Sequence, residues 1–330
     1  MAVVTRREDA RDAPEDDGLP VVRAHDLPKM AAGAKWLVHD IWGQQSVGVI
    51  AGSPKCAKSW LGLDIAISVA SRTPCLGRFP IDDPGPTMVY LAEDQLPEVR
   101  ERIDGICAHR RLSFEALDVH VITSAAIRLD LAQDQKRLDV TLARHKPKFL
   151  LLDPLVRLHR LDENSSADIS ALLGFLRELQ RRYQMAIALV HHMSKRSRAQ
   201  LGQALRGSSD LHAFGDDFAY LTRTTGKLHL TLEHRSAAAT DPMEVRLVDP
   251  APGGGEAHLE VAGAGGNEPP RSLRDDVLAA LAGGGGPVQR ADLRARLRVA
   301  NHKLGDVLLA LEKERRVTRS GDGWALARNS

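Results

Sequence analysis

The run Val47-Gly48-Val49-Ile50-Ala51-Gly52-Ser53-Pro54-Lys55-Cys56-Ala57-Lys58-Ser59 decides the fold of this 330-residue chain. Its first five residues are continuously apolar apart from one glycine, as a strand covered on both faces requires. Gly52 to Ala57 break that run with Gly and Pro. A helix is expected next, carrying Trp60, Leu63, Ile67 and Ala70 at three- and four-residue spacing. Strand, tight turn and helix in this order are the setting of a Walker A loop, in which backbone N–H groups at a helix N-terminus cradle phosphate oxygens. In that pattern Lys58 reaches the β/γ-phosphates of ATP and the Ser59 hydroxyl binds Mg²⁺. One position departs from it. Ala57 stands where glycine normally precedes the lysine, and its Cβ is expected to strain the turn by about 1 kcal/mol. Lys55 adds a positive charge that faces either phosphate or solvent.

Working outward, Phe149-Leu150-Leu151-Leu152-Asp153 is an apolar strand ending in an acid, the Walker B arrangement. A carboxylate there can hold Mg²⁺ opposite Ser59. Met88 to Ala92 form another strand, followed by Glu93, which at the carboxyl edge of a neighbouring strand is placed to orient the attacking water. Ala186 to Val190 run into His191 and His192, where a polar side chain can sense the γ-phosphate. Adjacent strand residues point to opposite faces, so the two histidines do not readily share a metal.

Val119–Ile122 completes the expected parallel strands, with helices at Arg137–His145 and Ile169–Tyr183. Apolar strands alternating with helices imply an α/β fold with a mostly parallel sheet covered on both faces. From Phe218 onward the apolar residues alternate with period two. Phe218–Leu221, Leu228–Leu232 and Val245–Val248, with a further strand at His258–Val261, are therefore expected to extend the sheet antiparallel.

The organisation that follows is a disordered, mixed-charge arm over 1–27, an ATPase domain over 28–262, a Gly- and Pro-rich linker over 263–272 and a small domain over 273–330. The three cysteines have no metal-ligand spacing and point to a reducing cytoplasm. No apolar run reaches the roughly 20 residues that span a bilayer, and the N-terminus does not read as a signal peptide. The net charge of +2 gives no case for nucleic acid by itself, and 4% aromatic residues disfavour a base-stacking platform.

In the last sixty residues three helices, marked by Leu273–Leu281, Leu293–Leu297 and Leu304–Leu311, precede a hairpin with Gly321-Asp322-Gly323 at its tip. That order is a winged helix-turn-helix. Residues 271–330 hold twelve Lys/Arg against seven Asp/Glu. Arg294, then Asn301, His302 and Lys303 at the opening of the third helix, and Arg319 in the wing are the expected duplex-DNA contacts. A winged helix that contacts protein is the other reading.

Tyr-Leu-Ala-Glu-Asp (90–94), Leu-Leu-Asp-Pro-Leu (151–155), Val-His-His-Met-Ser-Lys (190–195) and Leu-Arg-Gly-Ser-Ser-Asp (205–210) resemble the RecA/DnaB superfamily of motor ATPases. The chain is most similar within it to the RepA-type hexameric replicative helicases of plasmids and mobile elements. The resemblance implies a RecA-like P-loop fold over roughly Trp36 to Val248, with Glu93 as catalytic base and Asp153 as the Walker B acid. It makes His192 the γ-phosphate sensor, with His191 as fallback, and matches Arg235 to the arginine finger given to a neighbouring subunit. Glu233 stands where the family often has lysine, so Arg235 is equally read as a surface arginine. The resemblance also implies a homo-oligomeric ring, a hexamer, with single-stranded DNA in its pore. Lys195, Arg196, Arg198 and Arg206 lie in a loop that would face that pore and attract a phosphate backbone. The expected activity is an ATP-driven motor on DNA, without membrane association. The alternative is a DNA-binding regulator that uses ATP only as an assembly switch.

Overall fold

Three apolar strands, Val47–Gly52, Phe149–Asp153 and Ala186–His192, are buried along almost their whole length, and residue parity divides each between two helical layers. The computed structural model describes residues 21–27, 35–161, 166–193, 209–235, 241–248, 256–262, 273–282, 287–297, 301–314, 316–320 and 323–327. The chain begins with strands β1 (Trp36–Val38) and β2 (Trp42–Gly43), then β3 (Val47–Gly52), α1 (Lys58–Ser71), β4 (Thr87–Leu91), α2 (Leu96–Arg110) and β5 (Val119–Val121). It returns through α3 (Ala132–His145), β6 (Phe149–Asp153), α4 (Ser166–Tyr183), β7 (Ala186–His192) and α5 (Ser209–Phe214). Strands β8 (Asp217–Thr224), β9 (Lys227–His234), β10 (Met243–Val248) and β11 (His258–Val261) follow.

Among the described residues, β3 to β11 form one sheet in the order β11-β10-β9-β8-β3-β7-β6-β4-β5. The strands from β8 to β5 in that order are parallel, and β9 to β11 add antiparallel. This is the mostly parallel α/β sheet expected of a RecA-like core. The chain winds outward from β3 to β5 and then returns toward β8. Right-handed crossovers put the outward helices on one face and the returning helices on the other. Accordingly Leu151, Ala188, Val190 and Ile50 pack with α1 and α2, whereas Leu150, Leu152, Leu189 and Val49 pack with α3 and α4. Gly62 lets α1 lie tightly on β6, because a Cβ there would sit 2.7 Å from the Leu151 methyls.

Helix α2 is absent from the sequence expectations, although Val99, Ile103, Ile106 and Cys107 give it a buried stripe. The period-two strands are present; β8, β9 and β10 are longer than expected, and β11 has the expected bounds. β8 and β9 are joined by the two residues Thr225 and Gly226, whose φ values of 49° and 83° form the mirror-image turn that matches strand twist.

The start of β8 also anchors the lead-in strands. Buried Asp217 accepts hydrogen bonds from Gly43 N at 2.7 Å and from the Ser46 hydroxyl. Its other oxygen lies 2.7 Å from Nδ1 of buried His234, whose Nε2 is 3.1 Å from the Asp40 carbonyl. Trp36 sets its ring edge-on against His234 at 4.9 Å.

The C-terminal residues contain α6 (Leu273–Ala282), β12 (Val288–Gln289), α7 (Arg290–Leu297), α8 (Asn301–Lys313), β13 (Val317–Ser320) and β14 (Gly323–Leu326). The three strands pair antiparallel in the order β12-β14-β13. Val277, Leu281, Leu293, Leu304, Leu308, Leu311, Val317 and Trp324 form a cluster of their own. The helices and hairpin lie where the sequence placed them, and β12 is additional.

Residues 21–27, inside the arm expected to be disordered, include an exposed 3-10 turn at Ala24–Asp26. The rest of the arm and the linker 263–272 lie outside the described residues. Among those described, no helix is long and apolar enough to cross a membrane.

Candidate nucleotide site

Parallel pairing brings the carboxyl ends of β3, β7, β6 and β4 to one edge of the sheet. Gly52 is level with His192, and Leu91 with Asp153. Two further backbone bonds carry this register past the strand ends. Met193 N donates to Gly52 O at 3.2 Å, and Ala92 N donates to Asp153 O at 2.7 Å. The crevice beyond such an edge, where the direction of winding reverses, is where open α/β sheets bind ligands.

The turn from Gly52 to Ala57 delivers the chain into α1 with Ala57 in the left-handed region, φ 57° and ψ 28°. This is the conformation that glycine adopts freely and that an L residue resists. Lys55 is also left-handed, at φ 62°, and is exposed. Helix α1 has no side-chain cap and no acid in its first turn, so side chains leave its leading N–H groups to an anion.

Lys58 is buried, and its ammonium donates to the Ser53 carbonyl at 2.9 Å, across the mouth of the loop. Burial lowers its pKa, opposed by the charges of Asp153, Cys56 and Glu93. Asp153 is buried and accepts a hydrogen bond from Ser59, yet among the described residues its Oδ2 has no hydrogen-bond partner. Its pKa is pushed up to about 6 by burial, with Asp94 and Glu93 adding to the rise while Ser59 and Lys58 oppose it. An orphaned carboxylate oxygen beside a serine hydroxyl suits a hard divalent cation such as Mg²⁺, for which oxygen donors are preferred.

Glu93 lies close enough to perturb both Lys58 and Asp153. Its Oε1 accepts from Nε of Arg157 at 2.7 Å. The neighbouring Asp94 is held differently, by a two-bond fork from Arg102 with both contacts at 2.8 Å. Neither arginine was found by sequence reasoning. Arg157 meets Glu93 across 64 positions of sequence, beyond the reach of any local pattern.

Strand parity separates the two histidines. His192 shares the α1 face with Val190, whereas buried His191 follows Leu189 toward the α4 face. Asp153 follows Leu151 on the α1 face, so His192 is the one of the pair on its side. Arg235 is elsewhere. Its backbone N donates to Asp216 O, at the amino end of β3 and β8, and its guanidinium lies 3.3 Å from Asp216 and also bonds the Ala213 carbonyl. At about 3.3 Å per residue along β3 it is on the order of 15 Å from its own phosphate loop.

Lys195, Arg196, Arg198 and Arg206 lie outside the described residues. Arg294 on α7 and Arg319 on β13 are exposed, and Asn301, His302 and Lys303 form the first turn of α8.

Residues 13–198, more than half of the sequence, match the AAA domain family. The chain belongs to that family. The matched span holds the phosphate loop, Glu93, Asp153 and both strand-end histidines of this AAA domain. It bears out the expectation of a P-loop ATPase. Two of the solved structures similar to the AAA protein illustrate the likeness. One, described as the RadB recombinase, is 16% identical with a TM-score of 0.49, covering 66% of this chain and 90% of that one. The other, described as a DnaB-like replicative helicase, is 14% identical with a TM-score of 0.48, covering 62% of this chain and 56% of the helicase. No curated protein matches.

Proposed function

We propose that this AAA protein is a DNA-associated motor that hydrolyses ATP at the interfaces of a homo-oligomeric ring, of the RepA-type helicase kind. The observation that carries the proposal is the cluster of Lys58, Ser59, Asp153 and Glu93 at one sheet edge, with a buried carboxylate oxygen that lacks a partner among the described residues. The first N–H groups of α1 and Lys58 bind the phosphates of ATP. Ser59 and Asp153 hold Mg²⁺, which when bound neutralises phosphate charge. Glu93 takes the proton of the attacking water, and His192 reports on the γ-phosphate. Arg235 is too far from its own loop to act there, so its proposed role as a finger requires the loop of a neighbouring subunit.

The small C-terminal unit is proposed to be a winged helix. Arg294, Asn301, His302, Lys303 and Arg319 would face duplex DNA, and Lys195, Arg196, Arg198 and Arg206 a single strand. Exposure of Arg294 and Arg319 and the excess of basic residues in this segment support that reading. The domain limits 28–262 and 273–330 belong to the same proposal, as does a cytoplasmic setting.

Two variants test the site. Lys58→Ala is expected to lose both ATP binding and turnover, whereas Glu93→Gln loses turnover and retains ATP binding. Equal loss of binding in both contradicts the role given to Glu93. The left-handed Ala57 favours a second reading, an ATP-switched DNA-binding regulator. Slow hydrolysis indifferent to DNA, with no unwinding of a forked substrate, would select it.

A further inference from the structure

Two adjacent acids follow β4, and the molecule treats them differently. Asp94 is gripped by two bonds from Arg102 in a largely buried pair, the side chains being 20% and 23% exposed. Glu93 is tied to Arg157 through Nε by a single charge-assisted bond, and that pair is 44% and 61% exposed. A two-bond fork out of water fixes a carboxylate, while a single contact in water is readily exchanged. Arg157 belongs to the 3-10 turn Leu155–Arg157 directly after Asp153, and buried Leu155 and Leu158 on either side pin that turn to the core. The backbone is therefore fixed while the guanidinium stands in solvent. Arg160, also exposed, shares the same loop.

We infer that Arg157 is a positioning residue that restrains Glu93, and that a single-stranded nucleic acid frees Glu93 by drawing Arg157 onto a backbone phosphate. The inference rests on Glu93 acting as the water-activating base. A guanidinium exchanges carboxylate for phosphate at little loss, since both accept its planar donors. The exposed loop offers two arginines to a polyanion, and a repeating phosphate chain attracts such groups without regard to sequence. No covalent step is added. One ion pair replaces another, and the carboxylate that was engaged with Arg157 becomes available to water.

The test is steady-state ATP hydrolysis by the full chain, with and without long oligothymidylate, for the wild type, Arg157→Ala and Arg157→Lys. Arg157→Ala is expected to raise basal kcat by up to about fivefold, the scale of an exposed ion pair. KM for ATP stays near the wild-type value, and oligothymidylate no longer accelerates the reaction. Arg157→Lys keeps the charge and restores both restraint and stimulation. The salt slope of oligothymidylate binding falls by about 1 in Arg157→Ala, as for any lost phosphate contact. A lowered kcat in Arg157→Ala, or basal and stimulated rates equal to wild type, overturns the inference while leaving the ATPase reading intact. Stimulation by polyglutamate in place of oligothymidylate overturns the nucleic-acid assignment. A wild-type chain whose ATP turnover is nil, or is unchanged by Lys58→Ala, sinks the ATPase reading itself and the inference with it.

Discussion

Asp153→Asn should make the metal-free protein more stable at pH 8 while abolishing Mg²⁺-dependent turnover. Asp153 is buried, one of its oxygens has no partner among the described residues, and its pKa is pushed from 3.8 to about 6, first by burial and then by Asp94 and Glu93. A raised carboxyl pKa means that the folded state binds the proton more tightly than the unfolded chain. Ionising Asp153 therefore costs stability above about pH 6, and that cost fades as the pH falls through 6 toward 3.8. The interval corresponds to about 3 kcal/mol at pH 8. Asparagine keeps the shape without the charge and removes most of this penalty. Urea denaturation in the presence of a chelator measures it. The Asn variant should exceed the wild type by about 2–3 kcal/mol at pH 8, with the gap roughly halved at pH 5 and nearly gone at pH 3.8. Magnesium should then stabilise the wild type and leave the variant unaffected. If the Asn variant is instead less stable than wild type at pH 8, Asp153 is a satisfied partner of Lys58 rather than a carboxylate waiting for a cation. The reasoning then fails.

Other substitutions probe the frame around the site. At Ala57 the left-handed backbone predicts the stability order Gly at or above Ala and both above Val, with Ala57→Val losing about 1–2 kcal/mol by thermal denaturation. The gain for Gly is held below about 1 kcal/mol by the looser unfolded chain, and equal midpoints for Ala and Val would refute the backbone assignment. Asp217→Ala strips Gly43, Ser46 and His234 of a shared acceptor and should lower unfolding stability by about 3 kcal/mol. It should leave ATP affinity of the folded fraction unchanged, because the network lies at the opposite end of β3; weakened ATP binding by folded protein would contradict that separation.

Local pattern alone placed the Gly52–Ala57 turn between a strand and a helix, the strand that ends at Asp153, Glu93 behind its neighbouring strand and the period-two extension. Each is written in consecutive residues. A buried strand must be apolar on both faces, and a phosphate-binding turn must break it with Gly and Pro before a helix begins. Helix α2 had a legible stripe at Val99, Ile103, Ile106 and Cys107, but Pro97, Gly105 and its many charges obscured it. The order of strands was not legible, because pairing depends on which crossovers the two helical layers permit. That order determines that β7 separates β3 from β6, and that Asp153 and His192 share a face while His191 does not. It likewise puts Arg157 on Glu93 and His234 on Asp217, contacts made by residues 64 and 17 positions apart. A side chain's chemistry is carried by its own letter in the sequence. The charge that restrains it, and the burial that shifts its proton, come from neighbours that only the folded sheet supplies.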